Sequence, residues 1–173
     1  LESASRRVRA YRSGFSFTGL IGAGLFFALS MAPSLIPREA VIQGVLSGFT
    51  AAVGFWFGLA LVWLWTFFEL PGLTGGVRKA VRLTAAALTI GFVGYSLWLG
   101  GDWQGSLREF LGLEPLEGTY APVVLLVAIP LALALREIGR VFYWTKVIIS
   151  RFLARIMPRR VSIFIGLLLA AYL

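Results

Sequence analysis

Five long apolar runs, none interrupted by a charged residue, constrain this chain more than any other feature. They cover residues 14–32, 40–68, 83–99, 120–135 and 161–173. Each is too long for a buried strand. None alternates polar and apolar residues over about ten positions, as a barrel strand in lipid must. A continuous apolar segment in hydrocarbon has to pair every backbone N–H and C=O within itself, and the helix does that. The expected fold class is therefore all-α: a polytopic transmembrane helical bundle of about five spans, with a basic tail at 1–13 and the helical domain over 14–173. Composition agrees. The chain is 58% hydrophobic and 14% charged, where a soluble domain carries roughly 25% charged residues. Disorder requires the opposite balance.

The second run is long enough to tilt or to extend past the hydrocarbon. Pro71-Gly72 and Gly75-Gly76 are expected to end it, and Gly100-Gly101 to close the third. The fifth, opening at Val161, covers about 20 Å as helix, short of the roughly 30 Å of a bilayer core. It reads as a span cut short, with more chain beyond Leu173. Arg6, Arg7, Arg9 and Arg12 precede the first run, so a cleaved leader is the alternative there. That run exceeds a usual leader core, and four more follow it.

Orientation follows from the basic residues. Four Arg lie in the N-terminal tail. Arg78, Lys79 and Arg82 lie between spans two and three, and seven basic residues lie between Arg136 and Arg160. The opposite connections hold only Arg38 and Arg108. The N-terminus is expected in the cytoplasm, with the chain integral to the membrane. In the 100–120 connection, Asp102, Glu109, Glu114 and Glu117 alternate with Trp103, Leu107, Phe110, Leu111 and Leu113. It reads either as a short amphipathic helix on the outer face, capped by Ser106 with Glu109 at its third position, or as a solvated loop.

Over 136–160, Arg136, Arg140, Lys146, Arg151 and Arg155 fall on one arc of a helical wheel, and Phe142, Ile149, Phe152, Leu153 and Ile156 on the opposite arc. This is a basic interfacial helix, ended by Pro158. Arg140, Lys146, Arg151 and Arg155, with Arg38 on the other side, are the candidate contacts for lipid headgroups; topology alone also accounts for them. The net charge of +8 lies beside lipid spans with no recognition motif, so no nucleic-acid partner is expected. Gly44 and Gly48, Gly54 and Gly58, and Gly91 and Gly94 are candidate helix-packing positions, where small residues let backbones approach. Gly19-Leu-Ile-Gly22-Ala-Gly24 lies inside a span with no strand before it, so it is no nucleotide fingerprint.

The chain has no His, no Cys and a single Asp, Asp102. A Ser-His-Asp triad, a thiol nucleophile and a His or Cys zinc site are excluded within it. Gly44-Val-Leu-Ser47-Gly48 has the wrong spacing for a nucleophile elbow. The polar residues of the spans, Gln43, Ser47, Thr50, Thr66, Thr84, Thr89 and Ser96, are not ionisable, which counts against an ion-coupled transporter. No catalytic residue, cofactor or metal site is expected here. Glu69, at the inner end of span two, is expected to pair with Arg78 or Arg82.

Two stretches are more specific: Phe26-Phe-Ala-Leu-Ser-Met-Ala-Pro-Ser-Leu-Ile-Pro-Arg38, and Gln43-Gly-Val-Leu-Ser-Gly-Phe-Thr-Ala-Ala-Val-Gly-Phe-Trp-Phe-Gly58. They resemble the membrane-spanning N-terminal domain of an actinobacterial alpha/beta-hydrolase family. The resemblance implies a multi-span region before a soluble serine hydrolase of esterase or lipase type, with nucleophile, acid and His all beyond Leu173. Read by itself, Pro33-Ser34-Leu35-Ile36-Pro37-Arg38 is a tight outer turn between helices, Ser34 or Pro37 suiting a helix start. Arg38 then meets Glu39, a lipid phosphate or another anion. The expected role is to anchor and position the downstream hydrolase at the membrane. The alternatives are a non-enzymatic subunit or scaffold of a membrane complex, and a lipid transporter. The expected partners are membrane lipids, anionic ones among them, the downstream hydrolase domain, and a second copy or a membrane complex.

Overall fold

The computed structural model describes residues 16–33, 35–114 and 120–153, with side chains through 149. Among these residues the chain is helical throughout, without strands, in the order α1 (Phe17–Ser30), α2 (Ala40–Phe67), α3 (Gly75–Phe110) and α4 (Tyr120–Leu153). Three helices are long and apolar enough to cross a membrane: Ala40–Phe67, Gly75–Phe110 and Tyr120–Ile149. The helix Phe17–Ser30 is shorter. Its 14 residues reach about 21 Å at 1.5 Å per residue, within the run expected over 14–32, of which residues 14 and 15 lie outside the described residues. The tail at 1–13, the fifth run at 161–173, Ser34 and Arg155 lie outside the described residues.

The helix ends follow local chemistry. Ser16 caps α1, its hydroxyl accepting the Gly19 N–H at 3.5 Å, as hydroxyls at this position do. For α2 the first helical residue is Ala40 and the N-cap is Glu39, two residues after Pro37. At its far end the Leu70 N–H reaches the Trp65 carbonyl at 3.2 Å and the Glu69 N–H reaches Thr66 at 3.3 Å. That is a Schellman closure, with Glu69 in the left-handed region at φ 54°. Glu69 enters no ion pair among the described residues, so its position closes the helix; it does not balance Arg78 or Arg82.

The third helix departs furthest from expectation. It runs through Gly100-Gly101, the intended stop, and takes in Ser106 and Glu109 as interior residues. There is no separate capped helix and no loop at 100–110. An interior glycine costs only about 1 kcal/mol, and Gly100 has a packing use: a Cβ there would come within 2.6 Å of the Met31 methyl. The actual stop is Gly112 at φ 65°. Its N–H bonds to Glu109 at 3.1 Å, and that of Leu113 bonds to Arg108 at 2.9 Å, the same closure as in α2 but with the residue that tolerates it best. In α4, likewise, the apolar run and the basic segment as far as Leu153 form one helix, continuous through Pro130.

The chain divides into two packing units, Leu1–Ala132 and Leu133–Leu173, and α4 contributes to both. In the first unit, glycines set how closely helices approach. A Cβ on Gly22 would strike the Gly54 carbonyl, one on Gly54 the Gly22 carbonyl, and one on Gly58 the Thr18 carbonyl. These contacts make α1 and α2 antiparallel with backbones in touch. Gly44 lies against Val127, its Cβ position 2.7 Å from that side chain, and Gly48 lies 2.7 Å from the Ala128 carbonyl on the same measure. So α4 runs parallel to α2 along its first half. At Gly91 and Gly94 a Cβ meets nothing within 4 Å among the described residues. Small-residue spacing on a helix does not say whether a neighbour covers that face.

Candidate functional site

The residues at the α1–α2 turn assemble a hydrogen-bonded polar network inside the first unit. Gln43 and Ser47 are four apart on α2 and so share a face, and both are buried, at 2% and 0% exposure. The Gln43 amide donates to the Ser30 carbonyl at 2.9 Å and to the Ser47 hydroxyl at 3.1 Å. The Ser30 hydroxyl lies 2.7 Å from the Ser47 oxygen and 2.6 Å from the Phe27 carbonyl, its one proton serving either. Ser47 also lies 3.7 Å from the Met31 sulfur. The network joins the last turn of α1 to the first turns of α2.

Arg38 extends the network outward. Its guanidinium Nη1 donates to Gln43 Oε1 at 3.2 Å. Its backbone N–H donates to Gln104 Oε1 at 2.9 Å, across 66 residues. Gln104 is itself buried, at 5% exposure. It reaches the turn because α3 continues past Gly100-Gly101. Arg38 makes no ion pair with Glu39; the ion pairs among the described residues are Arg136–Glu137 and Arg140–Glu137. Tyr120, the buried first residue of α4, packs on the same stretch of α3, its ring 3.9 Å from where a Cβ on Gly101 would sit. Chemically the arrangement is a fixed cation held by neutral amides, with no nucleophile–base pair in it. Groups of His, Cys, Asp or Glu able to hold a metal are absent among the described residues.

Three of the remaining polar residues of the spans satisfy themselves locally. Thr50, Thr66 and Thr89 donate to carbonyls of their own helices, at Leu46, Trp63 and Ala85, as hydroxyls in apolar helices do. Ser96 is buried on α3.

In the second unit Glu137 sits between Arg136 and Arg140, the latter at 3.3 Å. Lys146 lies 5.8 Å over the Tyr143 ring. Arg140 and Lys146 thus have protein partners as well as exposure, and an exposed ion pair of this kind is worth about 0–1 kcal/mol. Arg151 lies on α4 beyond the described side chains. Sequence reasoning found Arg38, Gln43 and Ser47, but not Ser30, Gln104 or Tyr120. The i, i+4 spacing of Gln43 and Ser47 signals a shared polar face; nothing local marks Gln104.

The comparisons with known proteins can be set beside this geometry. No curated protein and no solved structure matches the chain. A family model described as the alpha/beta-hydrolase family N-terminus matches residues 31–173. The match opens at Met31, whose sulfur contacts Ser47, and takes in the turn, Arg38 and the three long helices. The chain belongs to that family, as an alpha/beta-hydrolase N-terminal region built from apolar helices.

Proposed function

We propose that this helical region embeds in the bacterial plasma membrane and there anchors and positions a downstream alpha/beta serine hydrolase of esterase or lipase type, without performing catalysis itself. The observation that carries this reading is the distribution of side chains around α2 and α3. Helix α2 buries Gln43, Gly44, Ser47, Gly48, Ala51 and Ala52 and exposes Val41, Ile42, Val45, Phe49, Val53 and Phe57. Large apolar side chains also face outward on α3 and α4, with Ile90 at 72% and Leu126 at 74% exposure. A helix in water does the reverse, and an apolar surface this continuous aggregates in water. In lipid the pattern is the expected one: small and polar residues bring helices together while bulky ones meet acyl chains. The match to an alpha/beta-hydrolase N-terminal family supports the hydrolase part of this reading, and with no His or Cys in the chain a Ser-His-Asp triad would have to be built from residues elsewhere in the protein.

The basic residues at 1–13, 78–82 and 136–160 put those segments in the cytoplasm on this reading. Single cysteines at Arg12, Ser106 and Arg155 of the full-length protein, exposed to a membrane-impermeant thiol reagent in intact cells, test it. Ser106 is exposed on α3 and is the one expected to react. Labelling at Arg155 would refute the orientation, and release of the protein by alkaline carbonate would refute the anchoring. Residues 1–173 expressed alone are expected to turn over no short acyl ester; turnover blocked by a serine-directed inhibitor would overturn that assignment.

A further inference from the structure

We propose that Arg38 and Tyr120 form a binding site for the phosphate of a phospholipid, with Gln43 and Gln104 as positioning residues. The inference rests on the membrane reading above and adds a ligand to it. Arg38 is held at two points, through its backbone N–H by Gln104 and through Nη1 by Gln43, and both glutamines are buried. A long cationic side chain on a surface ordinarily loses rotamer freedom to bind an anion. Here the fold has already fixed it.

What the network supplies to Arg38 is neutral. Two amide oxygens orient the residue, but neither cancels its charge, and Arg38 enters no ion pair among the described residues. One guanidinium nitrogen is used by Gln43, leaving donors of a five-donor fork that suits a phosphate. A partly buried cation without a counter-ion is costly, and an anion relieves that cost.

A second observation points to the same place. Tyr120 is 6% exposed, and its ring lies against α3 at Gly101, 3.9 Å from where a Cβ there would sit, one turn before the Gln104 that holds the Arg38 backbone. Among the described residues the Tyr120 hydroxyl makes no hydrogen bond to protein. A buried phenol ordinarily has a partner, and an anion held by Arg38 provides an acceptor. The surroundings decide which anion. Leu35 in the turn, and Val41 and Ile42 on the first turn of α2, are exposed apolar side chains within four positions of Arg38 in the chain. A fixed positive charge with an apolar skirt fits a ligand whose charged head continues into acyl chains.

The test uses full-length protein purified in mild detergent, with retained phospholipid counted by native mass spectrometry. Wild type is expected to carry phospholipid. Arg38→Gln should lower its occupancy about tenfold and Tyr120→Phe about threefold, the difference between losing a charged and a neutral hydrogen-bond donor. Arg38→Lys should fall between wild type and Arg38→Gln, since it keeps charge without the fork. Carbonate extraction of the same proteins monitors membrane integration, which should be unaffected. Unchanged occupancy in Tyr120→Phe and Arg38→Gln, with the proteins still in the membrane pellet, overturns the site alone. If Arg38→Gln fails to fold, Tyr120→Phe decides. Complete displacement of the phospholipid by millimolar inorganic phosphate overturns the lipid as ligand. Wild type in the carbonate supernatant overturns the anchoring reading and the lipid assignment together.

Discussion

The two ends of α2 obey different rules. From Gln43 to Gly58 the helix is covered by α1 and α4, and its inward residues are small or amide- and hydroxyl-bearing, save Phe55, whose ring fills the space left by Gly19. From Ala60 onward, through the α2–α3 connection to Thr84, every residue is exposed. There the side chains are large: Trp63, Trp65, Phe67 and Phe68 on α2, with Trp63 stacked on Phe67 at 5.5 Å. Arg78, Lys79 and Arg82 follow on α3, and Arg82 lies 5.3 Å over the Phe17 ring. Residue size tracks helix coverage. Where backbones touch, bulk is excluded because a backbone occupies the space. Where they do not, bulk is present and nothing among the described residues competes for the space. Such aromatic and basic residues suit a headgroup boundary, and the covered end suits helix association in lipid.

The comparison breaks most visibly if bulk is placed where backbones touch. Gly54→Val sets a side chain against the Gly22 carbonyl, where neither partner can yield. It should destabilise the folded state by about 3 kcal/mol, the upper range for overpacking, read as a lowered midpoint on thermal unfolding in detergent. An unchanged midpoint would mean that α1 and α2 are not in contact at this glycine. Gln43→Leu keeps size but removes the amide, stranding the Ser30 carbonyl and releasing Arg38. A loss of about 2 kcal/mol follows from leaving buried groups unpaired, and the Arg38 turn should become more open to protease.

At the exposed end the expected changes are smaller, and one has the opposite sign. Glu69 closes α2 in a left-handed conformation that costs a non-glycine residue roughly 1 kcal/mol. Glu69→Gly should therefore raise stability by about that amount, whereas an ion pair with Arg78 or Arg82 would make the same substitution destabilising. Gly91→Val should move the midpoint by no more than about 0.5 kcal/mol, as for uncovered positions generally. A large loss there, appearing only at high protein concentration in the membrane, would show that a second copy covers the face.

Helix existence was legible from the apolar runs, because lipid-compatible sequence leaves little else to form. Helix ends were less so. Gly100-Gly101 looked like a stop, yet it permits close packing under Met31, whereas Gly112 is the stop. The same residue serves both uses, and only the partner distinguishes them. The core of the polar network was half visible: Gln43 and Ser47 share a face by spacing, and Arg38 stood out as one of few basic residues on its side. Gln104 and Tyr120 lie 66 and 82 positions from Arg38 in the chain, and no local pattern joins them. Gly91 and Gly94 have the spacing of Gly54 and Gly58 less one residue, but no helix among the described residues lies against them.

The central claim is that this bundle turns its bulky apolar side chains to lipid and its amides and glycines to one another. A nitroxide attached at Ile90, in full-length protein reconstituted into phospholipid vesicles, tests it most directly by collision with oxygen and with a water-soluble nickel chelate. The account predicts frequent collision with oxygen, which concentrates in hydrocarbon, and little with nickel. Frequent collision with nickel would place Ile90 in water and contradict it.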